Sequence, residues 1–419
     1  MTQFASPSIQ ACAARVAAEP SFLSAHVDYY YRERVKKAWN GGHMLDSRTP
    51  GPDAVMMVSN DYLDIADDPS IRQAQIDALE GSESTMVMSA VFLNGDSPQD
   101  AFERSMADWM GMEAALLSTS GYTANVGLIQ AIATPDTPVY VDMMAHASLW
   151  HGITAGKLEA RPFRHNSADH LASMIKRHGP GIVAIDSVYS TNGSVAPVRE
   201  IVEVAHEAGC VIIVDESHSL GTHGWQGSGM VAGLGLQNKV HFVTASLAKA
   251  FAGRAGLIAC SARLRDFIKY HAFPAIFSSA VLPSDVAGLA KTLDLIKSAD
   301  KKRQRLFDNT DYLRRNLSAL GYNVSDGEAQ IIALEAGPEQ QTMVLRDALE
   351  SRGVFGSVFY SPATAAKRSL VRMSVNAGLT QGELDHVIRV CRDIRDEVDL
   401  ANWPSTRRAQ RNTVDTLAA

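Results

Sequence analysis

Cys210-Val-Ile-Ile-Val-Asp215-Glu-Ser-His218-Ser-Leu-Gly221 is the stretch on which the fold turns. Five apolar residues in a row suit a strand buried on both faces of a parallel sheet, with helices covering each side. Asp215 stands where that strand should end, and open α/β sheets bind ligands outside the carboxyl ends of their strands. An acid there can hold a cationic ring nitrogen, and His218, three residues on, can hydrogen-bond an oxygen of the same ring. The plainer alternative is that Asp215 caps the following segment, a role Asp favours.

Further along, Val240-His-Phe-Val-Thr-Ala-Ser246-Leu-Ala-Lys249-Ala-Phe-Ala-Gly-Arg-Ala-Gly256 repeats the pattern. The apolar run Val240 to Val243 predicts a second buried strand, and Lys249 follows in a loop of small residues that lets a ligand approach closely. A desolvated lysine has a lowered pKa, which frees its amine to attack carbonyls, as a Schiff-base lysine must. A solvated loop lysine is the competing reading.

Together Asp215-Glu-Ser-His218 and Ser246-Leu-Ala-Lys249 resemble the D-x-x-H and [S/T]-x-x-K elements of the α-oxoamine synthases, pyridoxal-phosphate enzymes of the aspartate-aminotransferase fold. The resemblance runs from about Ser59 to about Val390. Phe92-Leu-Asn-Gly-Asp, Ser148-Leu-Trp, Asp186-Ser-Val-Tyr-Ser, Pro274-Ala-Ile-Phe-Ser-Ser and Gly353-Val-Phe-Gly-Ser-Val-Phe are similar to the bacterial α-hydroxyketone autoinducer synthases within that family. It implies an α/β fold of type I: a large domain with a mostly parallel seven-stranded sheet between helices, and a smaller α+β C-terminal domain. The expected division is an N-terminal helical segment at 1–58, a cofactor domain at 59–295, a small domain at 296–398 and a disordered tail at 399–419.

The other site residues take their places around these strands. Ala114 to Leu117 predicts a strand, followed by Ser118-Thr-Ser120-Gly121-Tyr122 and a helical run, and the N–H groups of such a turn form an anion site. The resemblance gives Gly121 and Tyr122 to the cofactor phosphate, with the Ser120 hydroxyl available to add; a turn without a ligand is the alternative. His146 follows the predicted strand Val139 to Asp142, and the resemblance stacks its ring on the cofactor pyridine. Ser187, after the strand Gly181 to Asp186, and Ser246 join the same cofactor set. Ala275-Ile-Phe-Ser278-Ser279 resembles the family's F-S-T element, which implies that Ser279 reaches the phosphate in a neighbouring subunit and hence a homodimer with shared active sites. Ser59-Asn60-Asp61-Tyr62-Leu63 resembles the family's N-x-Y-L element, which implies that Asn60 lies near the substrate; as bare residues it is a polar turn before a helix. Arg372, in the predicted strand Leu370 to Asn376, can fork onto an α-carboxylate, or it is a surface charge.

Other stretches are less decisive. Phe22 to Trp39 reads as a packed amphipathic helix. Val281 to about Asn316 reads as one long helical connection, and Gly221-x-x-Gly224-x-x-Gly227 as a flexible turn. Ser84-Thr-Met-Val-Met-Ser-Ala-Val-Phe-Leu-Asn-Gly-Asp96 stands where the wider family carries a glycine-rich segment. Its Met and Phe residues suit an aliphatic substrate tail or a core strand.

Composition excludes several classes. The chain has 419 residues, 46% hydrophobic and 20% charged, with a formal charge of −7. That is an ordinary globular composition without the basic excess of a nucleic-acid surface. No apolar run approaches the roughly 20 residues of a membrane span. The cysteines at 12, 210, 260 and 391 are scattered without a CxxC pair, so no metal site or disulfide framework is expected. A cytoplasmic enzyme is expected. The resemblance implies a medium-chain acyl-CoA as one substrate. As amino donor it implies S-adenosylmethionine or α-aminobutyrate. The rivals are biotin-pathway, sphingoid or aminoketobutyrate synthases using alanine, serine or glycine, and a pyridoxal-fold subunit that binds without catalysing.

Overall fold

In the computed structural model, residues 19–81, 87–93 and 95–408 are described. In chain order the strands are β1 (Val55–Met57), β2 (Ala114–Ser118), β3 (Val139–Asp142), β4 (Ala160–Phe163), β5 (Ile182–Asp186) and β6 (Val211–Asp215). They continue with β7 (Phe242–Ser246), β8 (Gly256–Cys260), β9 (Ile331–Gly337), β10 (Val354–Phe359) and β11 (Ser369–Ser374). Seven of them form one sheet in the order β2-β8-β7-β6-β5-β3-β4. Only β8 runs antiparallel to its neighbours, so the expected mostly parallel seven-stranded sheet is what forms. Successive residues of β6 serve opposite layers: Ile212 and Val214 pack into one apolar cluster and Ile213 into the other. That two-sided burial is why β6 reads as an unbroken apolar run.

The second sheet, β1-β10-β11-β9, belongs to the small domain. Its β1 pairs in parallel with β10, Val55 opposite Val354. A strand from within the expected N-terminal segment is therefore part of the C-terminal sheet. The helix Ser21–Tyr30 and its wider continuation Tyr31–Ala38 bury none of their own residues. The expected packed helix is anchored at its end instead, by buried Trp39, whose Nε1 donates to Glu339 at 2.8 Å beside the Arg34–Glu339 ion pair.

The expected long connection divides into helices Pro283–Lys297 and Asp300–Ala319. At the break, the Ser298 hydroxyl bonds back to the carbonyls of Asp294 and Leu295, and Arg303 Nη1 takes the Ile296 carbonyl at 2.6 Å. These side chains occupy carbonyls that a continuous helix would use.

The tail also differs from expectation over the part that is described, while 409–419 lie outside it. Leu400–Asn402 form a short 3₁₀ turn, Arg408 pairs with Glu335, and Trp403 is only 1% exposed. The Trp403 ring packs edge-on against Tyr322 at 5.6 Å and its Nε1 donates to the Val398 carbonyl at 2.8 Å. Trp403→Ala is expected to lower unfolding free energy by about 3–5 kcal/mol, read from urea melts.

Candidate functional site

The carboxyl ends of three adjacent strands set the floor of the site. Asp186, Asp215 and Thr244 stand side by side in register on β5, β6 and β7. Asp215 is buried; its Oδ1 accepts from Ser217 N at 2.8 Å and its Oδ2 from Asn125 Nδ2 at 2.5 Å. Asn125 is held in that orientation because its Nδ2 also donates to Ser148 Oγ and its Oδ1 accepts from Thr244 Oγ1 at 2.7 Å. Nothing in the sequence marked Asn125, a polar residue on an apolar helix. Burial, then the neighbouring Asp215, raise the Asp186 pKa well above the carboxylate range, and this group holds the backbone N–H of His146.

Lys249 leaves the end of β7 and is half-buried. Desolvation lowers the pKa of its amine; the charge of Arg372 adds to this and Asp215 opposes it. Its Nζ has no hydrogen bond or ion pair to the described residues. An amine so placed is desolvated, not a freely solvated loop lysine, and a lowered pKa is what a nucleophilic amine needs.

Across the floor, the helix Gly121–Ile132 begins with Ser120 as its cap, in a reciprocal capping box with Thr123. A Cβ at Gly121 would lie 2.6 Å from Ser246 Cβ, so glycine is required where this turn meets β7. The backbone N–H groups of Gly121 and Tyr122 have no acceptor among the described residues. Free donors at the start of a helix of this length suit a phosphate.

His146 caps the helix Ala147–Ala155 through Nδ1, which meets Ser148 Oγ at 2.8 Å. Desolvation lowers its pKa, Asp215 opposes and Lys249 assists, a balance that favours the neutral form of this flat ring. Tyr122 lies edge-on to it and bonds His151 Nδ1 at 2.9 Å, a partner the sequence did not reveal. His218 is buried, its Nδ1 2.6 Å from the Tyr62 hydroxyl, and desolvation followed by Lys249, Arg372 and His146 drives its pKa well below the usual value.

Arg372 reaches the same centre from β11 of the small domain. It is buried over the Phe359 ring, with Nη1 donating to the Ser190 carbonyl at 2.9 Å and Nη2 to Asn60 Oδ1 at 3.1 Å. Burial excludes the surface-charge reading. Its Nε is buried without a partner, an orphan donor of the kind a carboxylate satisfies.

One expected cofactor residue, Ser187, sits differently. Ser187 is fully buried, and its hydroxyl is committed to the Asp215 carbonyl at 3.0 Å and Ser219 Oγ at 2.8 Å; it braces the strand ends from below. Ser279 is exposed and forms an isolated antiparallel bridge with Ser89. The Gly221–Gly227 stretch is a closed loop, not a flexible turn. Gly221 N donates to the Gly227 carbonyl at 2.7 Å, and a Cβ at Gly229 would fall 1.6 Å from Glu216 Oε2. That carboxyl is sealed against the loop and accepts from Val231 N at 2.6 Å; burial pushes its pKa to about 8.

A free helix-start for phosphate, a carboxylate at a strand end for a ring nitrogen and an amine of lowered pKa fit pyridoxal phosphate on chemistry alone. Comparison with known proteins agrees. The model of the family described as aminotransferase class I and II matches residues 52–390. The chain is 46% identical to the CAI-1 autoinducer synthase of Vibrio campbellii, over 91% of this chain and 97% of that one. It is 29% identical to the 8-amino-7-oxononanoate synthase of Alkaliphilus metalliredigens, over 84% and 90%. Among solved structures, serine palmitoyltransferase from S. paucimobilis superposes with a TM-score of 0.81 at 26% identity, covering 91% of this chain and 98% of that one. The chain thus belongs to the aminotransferase class I and II family and is a pyridoxal-phosphate acyltransferase of the α-oxoamine synthase type.

Proposed function

We propose that this enzyme joins a medium-chain fatty acyl-CoA to an amino donor, S-adenosylmethionine or α-aminobutyrate, giving the α-aminoketone or aminoenone precursor of an α-hydroxyketone autoinducer. The observation that carries the reading is the convergence of Asp215 and Arg372 on Lys249, whose amine feels the charge of both. Likeness to the Vibrio campbellii autoinducer synthase over nearly the whole of both chains favours the signal-precursor product over a biotin-pathway one.

The chemistry supplied by pyridoxal phosphate, when bound, is withdrawal of electrons from the donor's Cα. Lys249 Nζ anchors the cofactor and moves the proton at that carbon. The Asp215 carboxylate keeps a proton on the ring nitrogen. His146 offers its flat ring to the cofactor's face, and His218 a hydrogen bond to its phenolic oxygen. The turn of Ser120, Gly121 and Tyr122 takes the phosphate, with Ser246 beneath. Arg372 and Asn60 receive the donor's carboxylate. Ser187 acts through the strand ends, not on the cofactor.

The surface around Ser279 supports a homodimer with shared sites. The segment 87–93 lies against 275–280: Ala280 N donates to the Met88 carbonyl at 2.7 Å and Ser89 Oγ to the Ala275 carbonyl at 2.9 Å. Val87 is 70%, Phe92 68% and Phe277 79% exposed in the single chain. An apolar surface of that kind is suited to a second protomer and to an acyl tail between the two. Residues 84–86 and Asn94 lie outside the described residues. The described part is not the alternative core strand, since only Ala90 of its short 3₁₀ turn is buried. Among the described residues no helix is long and apolar enough to cross a membrane. The buried, unpaired Cys210, Cys260 and Cys391 suit a reducing cytoplasm.

The test is kcat/KM across an acyl-CoA length series. Each buried methylene adds roughly 0.8 kcal/mol, about fourfold, so acyl chains of about eight to ten carbons should exceed acetyl-CoA by at least about 10²-fold after ordering costs. Phe92→Ala should flatten the series. A preference for acetyl-CoA would restore a short-chain rival, and a steep series indifferent to Phe92→Ala would move the channel elsewhere.

A further inference from the structure

Tyr62 is buried completely in the entry segment of the large domain, 156 positions from His218, yet the two are joined by a 2.6 Å contact between its hydroxyl and His218 Nδ1. Which atom holds the proton follows from geometry. A separation of 2.6 Å lies in the range of an O–H donor and is short for an N–H donor. Among the described residues the other acceptor bonded to that hydroxyl is Asn60 Oδ1, at 3.3 Å, beyond the usual O–H···O distance, while the Gln330 side chain acts on the hydroxyl oxygen as a donor. Asn60 Oδ1 is meanwhile engaged by Arg372 Nη2, which fixes the amide with its oxygen towards Tyr62. One proton and two acceptors leave the shorter contact as the bond, so Tyr62 donates and Nδ1 accepts.

A neutral imidazole that accepts at Nδ1 carries its proton on Nε2. Neutrality is supplied by the surroundings: burial first, then the cations Lys249 and Arg372 and the nearby His146 disfavour a charged ring. Burial likewise keeps the Tyr62 hydroxyl protonated, against the pull of Arg372. His218 Nε2 bonds none of the described residues and is not among the polar atoms sealed from solvent. Gln330 pins the backbone beneath, its Nε2 donating to the His218 carbonyl at 2.7 Å.

We propose that Tyr62 is a positioning residue that locks His218 in the Nε2–H tautomer, so that this ring presents a hydrogen-bond donor, not an acceptor, to the cofactor's phenolic oxygen. The phenolic oxygen is the electron-rich partner such a donor needs, and the wrong tautomer would set two lone pairs against each other. The inference rests on the role given to His218 above, so its test separates the two.

The readout is the ring-nitrogen spectrum of ¹⁵N-histidine-labelled protein, with and without pyridoxal phosphate, the His218 signals among the 13 histidines being assigned by difference from His218→Asn. The wild type should show Nε2 protonated and Nδ1 as a hydrogen-bonded acceptor in both states. In Tyr62→Phe the ring should no longer be held in one tautomer, so the Nδ1 signal should lose its hydrogen-bonded acceptor position and move towards the average of the two tautomers, with kcat reduced roughly tenfold and KM for the amino donor within about twofold. A wild-type ring protonated at Nδ1 would overturn the proposal outright, and needs no variant to fold. So would a Tyr62→Phe spectrum identical to the wild type. If loading the cofactor leaves the Nε2–H signal unmoved while Nδ1 remains the acceptor, the tautomer lock stands and the contact of His218 with the cofactor falls.

Discussion

Lys249→Ala is expected to lower kcat by at least about 10³-fold, the scale of losing both a nucleophile and a positioned proton carrier, while the melting temperature stays near that of the parent. The stability half follows from the wild-type surroundings. Lys249 Nζ makes no hydrogen bond or ion pair with the described residues, and its charge is disfavoured by burial and by Arg372. Its removal therefore breaks no hydrogen bond, and the lost attraction to Asp215 is outweighed by relief of desolvation and of repulsion from Arg372. The activity half follows from the same facts: a lowered amine pKa enlarges the neutral, nucleophilic fraction at neutral pH. Lys249→Arg should not restore turnover, because a guanidinium does not lose its proton in this range. The measurement is the mass of peptides from borohydride-treated, cofactor-loaded protein. The parent should carry the cofactor on the peptide containing position 249, and the variant on none. Cofactor fixed elsewhere, with full activity, would remove Lys249 from the chemistry.

The parts of this site that were legible in the sequence are those whose physics is local. β6 is buried on both faces, so its five-residue apolar run is a signature no surface strand carries, and Asp215 at its end marks the edge where ligands sit. The Ser120–Tyr122 turn was legible because a cap, a glycine and a helical run are neighbours in sequence. What stayed hidden is what long-range pairing creates. Asn125 looks like any helical polar residue until the fold lays it 2.5 Å from Asp215, 90 positions away. Tyr62 and His218 likewise carry no mark of each other. β1 is three residues long, and its membership of the small sheet depends on a partner at 354–356. Trp403 sits in a polar, basic stretch whose composition reads as disorder, and one buried indole outweighs that average. The break at Ser298 escaped because it depends on Arg303 reaching back to a carbonyl, not on a glycine or proline.

Asp215→Asn separates the two readings of the acid at the end of β6, because each predicts a different quantity to fall. Both carboxylate oxygens are acceptors in the structure, Oδ1 from Ser217 N and Oδ2 from Asn125 Nδ2. Asparagine supplies one acceptor and one donor, so either rotamer sets an N–H against an N–H. Asn125 cannot turn over to accommodate it, since its Oδ1 holds Thr244 and its Nδ2 also holds Ser148. A stability loss of about 1–3 kcal/mol is therefore expected whatever Asp215 does for the cofactor. If Asp215 only caps the turn that follows, kcat per folded, loaded subunit should match the parent once this loss is allowed for. If it is the counter-ion of the ring nitrogen, kcat should fall a further ~10²- to 10³-fold, because a neutral amide does not hold a proton on that nitrogen while charge builds at Cα. Cofactor content should stay close to stoichiometric, since the phosphate turn and Lys249 are untouched. Three numbers from one preparation decide it: melting temperature, cofactor per subunit and kcat. A lowered melting temperature with undiminished kcat leaves Asp215 as a cap alone.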